Sequence, residues 1–236
     1  KARLVLFLRF SHHSIGGGPQ IKSPHKFFSN MSGHLIKPSS PSELRYTWLL
    51  AGWALLLVLF DLFTIQWFPV PWYDEVLFAD PGASLVLHGR WASTIWFGRG
   101  DFEFWGGNVP AYSALLVPWI WLFGLNEASV RSLNVCLFGA VLILAWHAIR
   151  RLGLIASPRM RLAALVALSM CYPVSYCVRC GRPDVFGMLL FAAGAFFWSS
   201  KSRLACVGLF VCLLISPFSG LHYVFYIPIL LFVLLL

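Results

Sequence analysis

Charge is what this sequence has least of. Only 11% of its 236 residues are Asp, Glu, Lys or Arg, and only nine of those are acidic; soluble domains carry about 25%. With 59% apolar and 17% aromatic residues, the chain has too little polar surface for an ordinary water-soluble globule. The strict apolar–polar alternation of a membrane β-barrel is also missing. There is no basic stripe with interleaved aromatics and no nucleic-acid motif, so the net charge of +9 does not point to nucleic acid. Cys177-x-x-Cys180 has no second Cys or His pair at metal-ligand spacing. The remaining cysteines, Cys136, Cys171, Cys206 and Cys212, are scattered and read as small packing residues.

What the sequence has instead is long apolar runs. They extend over about Trp48–Pro69, Ala128–Ile149, Leu162–Val178, Val185–Trp198 and Leu204–Pro217, and a sixth starts at Leu221 and continues to Leu236. A hydrocarbon core about 30 Å thick needs roughly 20 apolar residues per helical crossing. In lipid every backbone amide must be bonded within its own segment, so unbroken runs of this kind are helices. The expected fold is all-α: a polytopic transmembrane bundle with five or six crossings. Asp61 interrupts the first run. A carboxylate at the centre of a span costs about 2.5–3.5 kcal/mol on insertion scales, so it is expected either to bond another helix or to serve function.

Residues 1–30 are basic and aperiodic and read as a disordered or untranslated extension, with Met31 the expected start. The apolar piece Leu4–Leu8 is shorter than the core of a signal peptide. Because the sequence stops inside an apolar run, residues 31–236 are expected to be the N-terminal part of a larger membrane domain.

The positive charge is unevenly placed. Seven of the 18 basic residues lie at or before Arg45, and Arg150, Arg151, Arg159, Arg161, Lys201 and Arg203 flank short turns. Loops rich in Lys and Arg stay cytoplasmic. The N-terminus and those turns are therefore expected inside, and the stretch from about 70 to 127, with the turn around Arg179–Asp184, outside.

That stretch is the long polar segment of the chain, and it holds six of the nine acidic residues: Asp74, Glu75, Asp80, Asp101, Glu103 and Glu127. Binding and catalytic groups concentrate in long loops. Asp80-Pro81 reads as the N-cap and first residue of a short helix over Gly82–His88, closed by Gly89. Val109–Phe123, with Pro118 inside, is short for a crossing and is expected to lie along the membrane interface. Asp74-Glu75 falls just past the first run, beside Trp72, Tyr73 and Phe78. A partly desolvated carboxylate there is suited to take a proton from a hydroxyl, an effect of roughly 10²–10⁴-fold. The plainer reading is a solvated surface pair or helix cap.

The landmarks follow in a definite order: an apolar helix, Tyr73-Asp74-Glu75, a helix ending in His88-Gly89, Pro110-x-Tyr112, Leu122-Phe123-Gly124, Arg131, a helix ending in Arg150-Arg151, and Arg182-Pro183-Asp184. This order, over about Leu49–Leu236, resembles the GT-C class of integral-membrane glycosyltransferases, most of all the group containing protein O-mannosyltransferases and aminoarabinose transferases. The resemblance implies an active site on the periplasmic or extracellular side of a cell (inner) membrane. It implies a polyprenyl-phosphate-linked sugar as donor and a lipid, protein or polysaccharide as acceptor. Asp74 then matches the catalytic base, with Glu75 beside it. Glu103 is the candidate for the second loop acid, although it stands seven residues before Pro110, where relatives often have the acid two or three before the proline. Asp101 and Asp184 are further candidates. Guanidinium groups match phosphate oxygens bidentately, which makes Arg131 and Arg182 the candidates for the donor phosphate. Their plainer roles are pairing with Glu127 at i, i+4 and with Asp184. The residues show no metal-ligand spacing, although some members of the class use a divalent cation beside the acidic loop. The expected activity is inverting sugar transfer. The alternatives are a transporter or flippase for a lipid-linked or sugar substrate, which would place its binding groups near the bilayer midplane, and a non-enzymatic membrane scaffold.

Overall fold

The computed structural model describes residues 41–70, 73–93, 95, 109–200 and 202–220. Among these, 82% are helical and none lies in a strand. The eight helices are α1 (Pro41–Thr64), α2 (Tyr73–His88), α3 (Pro110–Phe123), α4 (Glu127–Leu152), α5 (Pro158–Met170), α6 (Tyr172–Arg179), α7 (Asp184–Trp198) and α8 (Arg203–Ser219). The N-terminal extension, Met31, Trp72, Asp101, Glu103 and the run 221–236 lie outside the described residues.

Local chemistry sets the helix ends. The Asn126 side chain accepts from the Ser129 amide at 2.8 Å to start α4, and Ser202 does the same for α8 from Ala205 at 3.0 Å. α2 and α4 stop at Gly89 and Gly153, whose φ values of 66° and 67° lie in the left-handed region open to glycine.

α4 is the axis of the bundle and packs against α1, α3, α5, α6 and α7. One of its faces joins Leu50, Leu165 and Val185 in a core around Leu142 and Trp146. The other joins Tyr112, Leu116 and Phe186 around Val130 and Leu133. α2 and α3 form a close pair: a Cβ added at Gly82 would stand 2.8 Å from the Ser113 carbonyl oxygen.

The number of crossings departs from the expected five or six. Two described helices, α1 and α4, are long and apolar enough to cross a membrane, or three spans if α5 and α6 count as one. The physical reason is length. At 1.5 Å per residue α7 and α8 reach only about 22 and 26 Å, because they are 15 and 17 residues long. The run 162–178 is broken where Pro173, which has no amide hydrogen, enters α6, and the chain bends there by 61°. α3, at 14 residues, is likewise short of a span.

Two further expectations are corrected. Asp80-Pro81 does not start a helix: α2 runs through it from Tyr73 to His88. The Asp80 carboxylate instead accepts a hydrogen bond from Ser93 Oγ at 2.8 Å. Pro81 cannot donate the helical bond of its position and crowds the carbonyl four residues before it, yet the helix continues through it to His88. Asp61 is not central to its span, since α1 ends three residues later, at Thr64.

The polar residues collect at opposite ends of the bundle. At one end Glu43 of α1 pairs with Arg161 at 3.2 Å and with Arg150 at 4.0 Å, and the Arg161 guanidinium stacks 4.7 Å from the Trp146 ring. At the other end the C-terminus of α1 meets the N-termini of α2, α4 and α7.

Candidate functional site

The second end holds the polar cluster. α4 carries Glu127, Arg131 and Asn134 on one face, at the i, i+4, i+7 spacing of a helical stripe. α2 contributes Asp74 and Glu75 in its first turn, where the positive end of the helix dipole favours carboxylates. The turn between α6 and α7 contributes Gly181 and Arg182, and Asp184 opens α7.

Arg131 is fully buried, and each of its three nitrogens has an internal acceptor. Its Nε and Nη2 donate to the two Glu75 carboxylate oxygens at 2.7 and 2.8 Å. Its Nη1 faces the carbonyls of Ile65 and Pro69, each at 2.9 Å, and Glu127 at 2.6 Å. Glu75 Oε2 also accepts from the Gly181 amide at 3.2 Å. A fully buried guanidinium with an internal acceptor at each of its three nitrogens holds structure together and is closed to a phosphate.

Arg182 differs. Its Nε donates to Asp184 at 2.8 Å, while Nη1 lies 3.4 Å from Asp74 Oδ2. All three side chains are partly open, at 32% for Arg182, 35% for Asp74 and 24% for Asp184. Burial works against the charge of Arg182, but the Asp184 and Asp74 carboxylates outweigh it and hold its pKa above the ordinary value.

A second ion pair lies alongside. Arg179 Nε stands 3.5 Å from Asp61, Arg179 Nη2 donates to Thr64 Oγ1, and the guanidinium lies between the rings of Phe60 and Phe68.

The structure thus brings Asp74, Glu75, Arg131, Arg182 and Asp184 to one place. Asp101 and Glu103 lie outside the described residues. Both plainer pairings, Arg131 with Glu127 and Arg182 with Asp184, are present. Sequence reasoning missed Asn134, Gly181 and Arg179. A signal for Asn134 existed: it is a polar residue three positions after Arg131 in an otherwise apolar run, and intramembrane polar groups have partners. Among the described residues no group of three His, Cys, Asp or Glu converges to hold a metal ion, and the described cysteines are free thiols. Among the described residues, the cation that faces Asp74 is Arg182.

No family model, curated protein or solved structure matches the chain.

Proposed function

We propose that the chain belongs to a membrane glycosyltransferase that moves a sugar from a polyprenyl-phosphate-linked donor to an acceptor hydroxyl or amine at the extracytoplasmic face, with inversion. The observation that carries this is the pair Asp74–Arg182. It is a partly open carboxylate and cation, 3.4 Å apart, resting on the closed and buried Glu75–Arg131 unit. In the proposed reaction the donor phosphate takes the place of Asp74 on Arg182. The freed Asp74 carboxylate takes the acceptor proton while the acceptor oxygen or nitrogen attacks the anomeric carbon from the opposite face. The bond from that carbon to the phosphate oxygen breaks, and its electrons leave with the polyprenyl phosphate, whose charge Arg182 balances. Arg131, fully buried inside the fold, positions Glu75 in this scheme, and the phosphate role falls to Arg182.

The same proposal places the cluster outside and the Glu43–Arg161 end, where the basic turns lie, in the cytoplasm. α1 and α4 span the membrane in this reading, α5 with α6 make a third, bent span, α7 packs against α4 and α8 against α7, and α3 lies along the interface.

The test is sugar transfer from a radiolabelled polyprenyl-phosphate donor pool by membranes carrying the full-length gene product. Asp74→Asn is expected to lower transfer by at least about 100-fold with membrane insertion unchanged; undiminished transfer overturns the role of Asp74. A transporter for a lipid-linked substrate is the second reading. Its starting point is the Asp61–Arg179 pair between α1 and α6, an ion pair with side chains only 14% and 11% exposed, and it predicts movement of intact donor across the membrane with no sugar transferred.

A further inference from the structure

Arg182 sits on a turn of a few residues, and a turn in water would let a long arginine side chain wander. This one is fastened from beneath. Asn134, fully buried about two turns into α4, aims its side-chain amide at the turn: Nδ2 donates to the Cys180 carbonyl at 2.6 Å and to the Arg182 carbonyl at 2.7 Å, with the Cys177 carbonyl at 3.5 Å. An amide nitrogen has two hydrogens, and the two short contacts use both. The three carbonyls also settle which way the amide faces, since its oxygen in that place would meet only acceptors.

The residue between the two short contacts is held as well. The Gly181 amide donates to Glu75 Oε2 at 3.2 Å, and a Cβ at Gly181 would stand 2.7 Å from Val130 Cγ1. Asn134 therefore grips the turn on either side of Gly181, while the Glu75–Arg131 pair grips Gly181 itself.

We propose that Asn134 is a positioning residue for Arg182, fixing the backbone from which the guanidinium reaches Asp74 and the donor phosphate. Its catalytic consequence rests on the glycosyltransferase reading; its structural consequence does not. Without the Asn134 amide the turn loses both short bonds: the Cys180 carbonyl keeps only the Arg182 amide at 2.7 Å, the Arg182 carbonyl loses this donor, and Arg182 no longer has a fixed base from which to face Asp74.

Cys180 reports on the turn directly. It is fully buried, whereas Cys171 and Cys206 are exposed. Alkylation of the full-length protein with N-ethylmaleimide, read peptide by peptide by mass spectrometry, gives the three rates side by side. Asn134→Asp keeps the size of the side chain but turns an oxygen toward the two carbonyls. It is expected to speed Cys180 labelling by about tenfold or more while leaving Cys171 and Cys206 unchanged. Cys180 protection equal to wild type overturns the proposal. If all three rates rise together the variant has unfolded, and the smaller change Asn134→Ser decides by the same criterion.

Transfer kinetics supply the second arm. Arg182→Gln and Asn134→Asp are each expected to lower kcat/KM for the lipid donor by about 10–100-fold, with the acceptor KM unchanged. The double variant is expected to be no worse than Arg182→Gln alone, because Asn134 acts through Arg182. Losses that multiply overturn the positioning role. Wild-type membranes that transfer no sugar refute the glycosyltransferase reading, and the labelling comparison then still decides whether Asn134 holds the turn.

Discussion

The Arg131 guanidinium and the Glu75 carboxylate meet edge to edge, Nε to Oε2 at 2.7 Å and Nη2 to Oε1 at 2.8 Å, with side-chain exposures of 0% and 7%. Because Nη1 also bonds the carbonyls of Ile65 and Pro69, this one side chain ties the end of α1 and the start of α2 to α4. Breaking a buried pair by removing one partner strands the other charge and costs about 3–5 kcal/mol. Arg131→Met is expected to destabilise by that amount. Glu75→Gln should cost less, since Arg131 keeps Glu127 and both carbonyls. Thermal unfolding of the purified protein in detergent checks the order; equal midpoints for Arg131→Met and wild type would refute it.

Much of this fold could be read from the chain because the information is local. Unbroken apolar runs demand helices wherever they are buried, and the pairs Arg131–Glu127 and Arg182–Asp184 lie four and two residues apart. The pairs that shape the site are not local. Glu75 and Arg131 are 56 positions apart and Asp61 and Arg179 are 118 apart, and nothing in composition or periodicity says which buried cation meets which carboxylate. Among the described residues two or three spans stand where five or six were expected, for a related reason. An apolar run gives hydrophobicity, but the usable length depends on where the chain bends, as it does at Cys171–Pro173. Continuity of α2 through Asp80-Pro81 was hidden because Asp-Pro is also a good helix start, and the partner that claims Asp80, Ser93, comes from tertiary packing.

Gly181 and Gly82 are both crowded, yet their substitutions should behave differently. At Gly181 the obstacle is a side chain, Val130 Cγ1 at 2.7 Å; at Gly82 it is the Ser113 backbone oxygen at 2.8 Å. Gly181→Ala is expected to cost about 1–3 kcal/mol by overpacking, and Val130→Ala in the same chain should recover a large part of it. Gly82→Ala forces α2 and α3 apart, and no side-chain truncation relieves that. Unfolding midpoints of the two single variants and of Gly181→Ala with Val130→Ala provide the comparison. A double variant less stable than Gly181→Ala alone would refute the steric account.

Asp61 and Arg179 are 14% and 11% exposed, and each is the charge partner of the other. Asp61→Asn leaves Arg179 with Thr64 as its hydrogen-bond acceptor among the described residues and with the rings of Phe60 and Phe68 around it. The single variant is expected to lose stability, about 3–5 kcal/mol at most, whereas Asp61→Asn with Arg179→Gln, which removes both charges, should lie closer to wild type. Detergent unfolding midpoints measure this; a double variant that loses the sum of the two single losses would mean that the charges do not depend on each other.

The turn beneath Arg182 makes its own pH-dependent prediction through Cys180, which lies outside the membrane-spanning helices. Burial, reinforced by the Glu75 carboxylate, pushes its thiol up from 9.0 to about 11. Alkylation proceeds through the thiolate. For an acid whose pKa is raised, the reactive anion is depleted at every pH below the new value: at pH 8 the thiolate fraction falls from roughly 10% to roughly 0.1%, a decrease of about 100-fold. Exclusion of the reagent slows the folded protein further. In wild-type protein at pH 8, Cys180 is therefore expected to alkylate at least about 100-fold more slowly than in the denatured chain, and its rate should keep climbing about tenfold per pH unit until pH approaches 11. If Cys180 instead matched its denatured rate at pH 8, the carboxylate of Glu75 and the closed turn could not both be where the structure puts them, and the platform for Arg182 would go with them.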